Sequence, residues 1–152
     1  MEFRSKAVRI NFMIELSKDD LKCIEEFESQ TGAAVVDCLI SDAAVAFIVK
    51  QGDLGRAIGK KGANITRVRQ AFARQILVFE DAPDMEQFIR NLFGSVAVKN
   101  INVHEKSDSK IAYVTVDEQD RGTAIGRNGD RIKVGRSLLQ RRFGCDLRLV
   151  SK

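Results

Sequence analysis

The sequence predicts an α+β fold built twice, each half a three-stranded sheet covered on one face by helices. Three observations carry that expectation. The run Ala57-Ile58-Gly59-Lys60-Lys61-Gly62 returns 67 residues later as Ala124-Ile125-Gly126-Arg127-Asn128-Gly129. The same offset relates Gly55 to Gly122, Ile65 to Ile132, Arg69 to Arg136 and Arg74 to Arg141, so the chain holds an internal repeat and not two chance turns. Finally, the order of helix-like and strand-like patterns around each loop is the same.

Residues 7–16 mix alternation with β-branched side chains and are expected to form an N-terminal strand. Ser17 is a good N-cap for a helix whose Leu21, Cys23, Ile24 and Phe27 share a face, and Gly32 ends it. Two strands follow, at Ala34–Ile40 and Ala44–Lys50, joined by Ser41-Asp42. A short helical turn leads to Ile58, then the glycine loop, a helix with Ile65, Val68 and Phe72 inward, and a closing strand at Ile76–Glu80.

Asp81-Ala82-Pro83-Asp84, with the only proline of the chain, is the expected boundary, giving a first domain over 1–80 and a second over 81–152. The order then repeats: a helix from Pro83 to Phe93 closed by Gly94, strands at Val96–Glu105 and Ile111–Asp117, the second loop, a helix to about Phe143 and a strand at Asp146–Val150. The polar run Lys106-Ser107-Asp108-Ser109-Lys110 reads as a lengthened surface loop in the second hairpin. Phe12, Phe27, Phe47, Phe72 and Phe88 are core candidates.

The loops have the chemistry of a phosphate site. A backbone that closely approaches a sugar-phosphate chain needs glycine, both for φ > 0 and for the missing Cβ. Each loop hands over to a helix N-terminus, whose N–H groups and dipole favour anions. Net charge is only +4, but 55–74 holds six basic residues and no acid, and 121–142 holds seven and one, Asp130. Those 42 residues carry +12, leaving −8 on the other 110. A one-sign concentration around two phosphate loops is the footprint of a polyanion site.

Other classes are disfavoured. Cys23, Cys38 and Cys145 have no metal-ligand spacing and fit small core residues in a reducing compartment. The sole histidine, His104, lies in a strand-like run without catalytic partners, and neither G-x-x-x-x-G-K-[ST] nor G-x-G-x-x-G occurs. Hence no enzyme activity, cofactor or metal is expected. With no long apolar stretch and no signal-peptide pattern, a cytoplasmic protein without membrane contact is expected. The glycine clamp is poorly suited to reading a major groove, and no window matches the RRM motif.

The element order, with Ile-Gly-x-x-Gly in each copy, resembles a tandem pair of type II KH domains. Segments 27–33, 49–60 and 114–117 are similar to the archaeal NusA-like transcription termination and antitermination factors, a resemblance running from about Leu16 to Val150. The resemblance implies single-stranded RNA binding, each GxxG loop clamping about four nucleotides. It also implies a role in transcription elongation, termination or antitermination, with RNA polymerase as a partner. A monomer is expected. The alternative is a KH-type RNA-binding factor in ribosome assembly or translation. The expected RNA contacts are Ile58, Gly59, Lys60, Lys61, Gly62, Asn64 and Arg67 in the first unit. In the second they are Ile125, Gly126, Arg127, Asn128, Gly129, Arg131 and Lys133. Ile65 and Ile132 are further candidates for holding bases. Asn128 stands where the first loop has Lys61, and Asp130 follows the second loop, so unequal clamps are expected.

Overall fold

A computed structural model describes residues 9–11 and 14–152. The chain divides after Asp81 into two compact units.

The expected strand over 7–16 falls partly outside the described residues, as does Phe12. What is described is two short antiparallel strands, β1 (Arg9–Asn11) and β2 (Ile14–Glu15), paired with each other rather than one continuous strand. Helix α1 (Lys18–Thr31) begins as Ser17 indicates: Asp20 N–H donates to Ser17 Oγ at 3.1 Å and Ser17 N–H to Asp20 Oδ2 at 3.0 Å. This is a capping box with aspartate at its third position. Gly32, at φ 77°, supplies the left-handed turn that ends the helix.

β3 (Val35–Ile40) and β4 (Val45–Val49) form an antiparallel pair, and β5 (Ile76–Glu80) joins β4 in parallel, giving the order β3-β4-β5. Between β4 and β5 run α2 (Leu54–Ile58), the first glycine loop and α3 (Ala63–Phe72). The helices pack on one sheet face, where Ile24, Phe27, Val35, Cys38, Val45, Phe47, Ala57, Ile65, Val68 and Ile76 form a core. The Phe27 and Phe47 rings stack with centroids 4.1 Å apart, and Phe72 meets Phe47 edge-on at 5.8 Å. Burying each such ring contributes about 1.5–3 kcal/mol. On the other face Ala46, Ile48, Leu77 and Phe79 are buried too, so β4 reads as a continuous apolar run rather than an alternating one.

The second unit repeats this plan with α4 (Met85–Phe93), β6 (Val98–Lys106), β7 (Ser109–Val116), α5 (Arg121–Ile125), α6 (Asp130–Phe143) and β8 (Asp146–Ser151). Sheet order β6-β7-β8 is again antiparallel then parallel. The expected α+β class with two three-stranded sheets is therefore what forms. Phe88, Leu92, Val114, Leu138, Leu139 and Leu147 are buried, and Phe88 meets Phe143 edge-on at 5.3 Å.

Two local expectations need correction. Pro83 does not open α4; Asp84 is its N-cap, the Oδ2 accepting from Gln87 N–H at 3.0 Å, which leaves Pro83 just outside. The polar run 106–110 is not a long loop: Lys106 pairs with Ser109, and only Ser107 and Asp108 turn. Ser107 and Asp108 turn as their propensity favours, and backbone pairing draws the flanking Lys106, Ser109 and Lys110 into the strands.

Cys38 and Cys145 are buried and Cys23 half-buried. Burial pushes the Cys23 and Cys145 thiols up, which favours the protonated form. Among the described residues no group of three or more His, Cys, Asp or Glu can hold a metal ion, and no helix is long and apolar enough to cross a membrane.

Candidate nucleic-acid interface

In each unit a five-residue helix runs into a glycine at φ near 80° and extended ψ: Gly59 at φ 81°, ψ 171° and Gly126 at φ 85°, ψ 175°. Only glycine adopts this region readily. The Gly59 and Gly126 N–H groups close the short helices onto Gly55 O and Gly122 O at 2.8 and 3.0 Å. The middle residue is left-handed, Lys61 at φ 55° and Asn128 at φ 56°, and the second glycine follows, Gly62 at φ 76° and Gly129 at φ 75°. The two backbones are nearly superposable in dihedral space although their side chains differ.

The first glycine of each loop is also required by space. A Cβ on Gly59 would sit 2.7 Å from Asn64 Cγ and 2.8 Å from the Asn64 backbone N; on Gly126 it would meet Arg131 Cβ at 2.7 Å and its backbone N at 2.9 Å. The helix thus presses directly against the loop. Neither α3 nor α6 has a side-chain cap, whereas α1 and α4 do. Uncapped N-terminal amides beside a glycine loop are suited to a phosphate oxygen.

The cations divide into outward and engaged sets. Lys60, Lys61, Arg127 and Lys133 are exposed at or just beyond the loops. Asn64 is a brace: its amide nitrogen donates to Arg56 O at 2.8 Å and its oxygen accepts from Arg67 Nη2 at 2.6 Å. Arg67 also reaches Gln30 O at 3.2 Å. Arg131, at the position matching Asn64, turns inward and donates to Leu92 O at 3.0 Å; burial pulls its pKa down. Arg74 is tied to Ser41 O, and Arg121 donates to Ser151 Oγ at 3.1 Å. Ile58, Ile125 and Ile132 are half-buried beside the loops, while Ile65 lies in the core. Asp130 is 8% exposed, at the start of α6, so its carboxylate does not stand out into the solvent beside the loop.

Beyond the second loop, Lys133, Arg136, Ser137, Gln140, Arg141 and Asp146 line an open groove of about 580 Å³ along α6. Asp146 accepts from Arg136 Nε at 3.1 Å and from Arg148 Nε at 3.1 Å. Burial alone would raise its carboxyl, but the bonds from Arg136, the Leu147 N–H and Arg148, with the Arg136 charge, hold it below the usual carboxylate range. Arg136, Ser137, Gln140 and Arg141 lie outside the contacts expected from the loop motif. For the two arginines the signal is the repeat itself, which pairs Arg69 with Arg136 and Arg74 with Arg141; Ser137 and Gln140 carry none.

Two units of this topology, each presenting a GxxG loop at a helix N-terminus, define a tandem KH-domain protein. The sequence matches the KH domain family over residues 23–108. It is 37% identical to the "Probable transcription termination protein NusA" of Halobacterium salinarum, over 88% of this chain and 95% of that protein. The protein of the same name from Methanococcus vannielii is 35% identical over 78% of this chain and 69% of its own length. The crystal structure of APE1850 superposes with a TM-score of 0.75 at 34% identity, covering 90% of this chain and 100% of that one. The chain belongs to the archaeal NusA-like family of KH-domain proteins.

Proposed function

We propose that this protein is a single-stranded RNA-binding factor acting in transcription elongation, termination or antitermination in the cytoplasm, in contact with RNA polymerase. The observation that carries the RNA-binding part is the pair of glycine loops of matching backbone, each set before an uncapped helix and flanked by outward cations. The transcriptional part is supported by the NusA name carried by its relatives.

In this reading a phosphate of the RNA lies against the loop at Gly62 or Gly129, where no Cβ obstructs it, while Gly59 and Gly126 let the loop sit directly on the helix N-terminus that faces the anion. Lys60, Lys61, Arg127 and Lys133 supply charge. The half-buried Ile58, Ile125 and Ile132 give apolar surface for bases. Asn64 and Arg131 act by holding the loops, and Arg67 by bracing Asn64.

The test replaces Lys60 and Lys61 together with Asp. Both are exposed, so stability should change by less than about 1 kcal/mol. RNA affinity should fall by more than about tenfold, since two cations facing phosphate become anions. The same change at Arg127 and Asn128 should cost less, because only one cation is lost. Unchanged affinity in both variants would remove the basis of the assignment. Co-purification with RNA polymerase supports the transcriptional role; co-purification with ribosomal subunits instead refutes it in favour of ribosome assembly or translation.

A further inference from the structure

The two sheets differ on the face turned away from their helices. In the first unit the positions Ala46, Ile48, Leu77 and Phe79 are apolar and buried. In the second, the face that alternates with buried Ala112, Val114 and Val116 is open. It carries exposed Asn100, Asn102, His104 and Arg148, with Ile111, Tyr113, Thr115 and Val150 half-buried among them.

The register makes this a compact array. Tyr113 lies between Asn102 on β6 and Arg148 on β8, and the His104 ring meets the Tyr113 ring edge-on with centroids 5.0 Å apart. These are the only tyrosine and the only histidine of the chain. Asp146, the one carboxylate at these alternating positions, is shared by Arg136 and Arg148, so the cluster is net positive.

We propose that this open face is a second contact for single-stranded RNA, on which a base stacks against Tyr113 and His104 while Asn100 or Asn102 bonds its edge. Aromatic rings stack on any base, carboxamides offer both donor and acceptor, and a guanidinium beside the ring attracts backbone phosphate. A protein partner buried at this site would call for a broad apolar centre; the only aliphatic groups on this face, Ile111 and Val150, are half-buried, and its exposed positions are Asn100, Asn102, His104 and Arg148. The proposal rests on the RNA-binding reading above but uses neither glycine loop.

The chain has no tryptophan, so tyrosine emission reports on Tyr113 alone. Oligo-U or oligo-A of about twelve nucleotides, three KH clamp lengths, is titrated in while anisotropy of a labelled strand follows total binding. Emission, corrected for absorbance with free tyrosinamide, should be quenched in step with binding by single strands. Tyr113→Leu should weaken affinity about five- to tenfold, the worth of one stacked base, while Tyr113→Phe keeps it within about twofold. RNA binding with unchanged emission and a silent Tyr113→Leu overturns the proposal and leaves the loop assignment standing. Absence of any anisotropy change overturns the RNA-binding reading itself. Loss of RNA polymerase association in Tyr113→Leu, with RNA affinity intact, assigns the face to a protein and also overturns the proposal.

Discussion

Replacing the first and the second glycine of a loop by alanine should have very different consequences. At Gly59, φ 81° and ψ 171° lie where an alanine costs up to about 3 kcal/mol. Its Cβ would also press on the Asn64 backbone N at 2.8 Å, an atom that cannot rotate aside. At Gly62 the backbone is ordinary left-handed, φ 76° and ψ 16°, and the nearest atom is Ile65 Cγ2 at 3.9 Å. There the cost is about 1 kcal/mol. Gly59→Ala should therefore lie at least about 2 kcal/mol below Gly62→Ala, a large share of the stability of a small domain. Urea unfolding should show midpoints separated by about 1–2 M at the slopes usual for domains of this size. The second loop provides an internal replicate. Gly126→Ala meets Arg131 N at 2.9 Å, whereas Gly129→Ala makes ordinary contacts, with Lys133 Cε at 3.8 Å and Ile125 Cγ2 at 3.9 Å. Equal midpoints for the two alanines within a loop would refute the argument that helix and loop are pressed together at the first glycine.

Lys61 is a non-glycine residue held left-handed, and Asn128 shows what suits that backbone; Lys61→Asn should raise stability by about 0.5 kcal/mol in thermal melts while lowering RNA affinity. Ala73 ends α3 in the left-handed region at φ 54°, where α6 uses Gly144, so Ala73→Gly should stabilise by about 1 kcal/mol in urea unfolding. The Asp146 carboxyl is depressed by its two arginines, so its contribution is complete at neutral pH and is lost as pH falls through the lowered value. Acid titration of stability should accordingly be shallower below the usual carboxylate range in Asp146→Asn than in the parent.

The features legible in the sequence were local or periodic. Ser17 and Gly32 bound α1 because capping is decided within three or four residues, and Phe27 and Phe47 meet because helix and strand periodicities point them to one face. Asp84 was harder, since proline and aspartate both signal a helix start and only the Gln87 amide decides between them. The hairpin at 106–110 is not legible in the sequence, because strand pairing there comes from Lys106 opposite Ser109 and not from side-chain preference. Within the site, the loop backbone was readable from its glycines. What Arg131 does was not: its partner, Leu92 O, lies 39 residues earlier, and nothing in a one-sign charge run distinguishes an inward arginine from an outward one.

That inward arginine makes the two clamps mechanically different. The first loop is braced by Asn64, which reaches back eight residues to Arg56 O and is linked to the last turn of α1 only through Arg67, bonded to both Asn64 Oδ1 and Gln30 O. The second is tied through Arg131 to the last turn of α4. Any event that displaces α4, whether fraying, a substitution or a bound molecule, is thereby felt directly at Gly126, while a displacement of α1 reaches Gly59 only through Arg67 and then Asn64. Thermodynamic reciprocity then requires that a ligand held at the second loop steady α4 in return, through one arginine where the first copy needs a relay of two side chains.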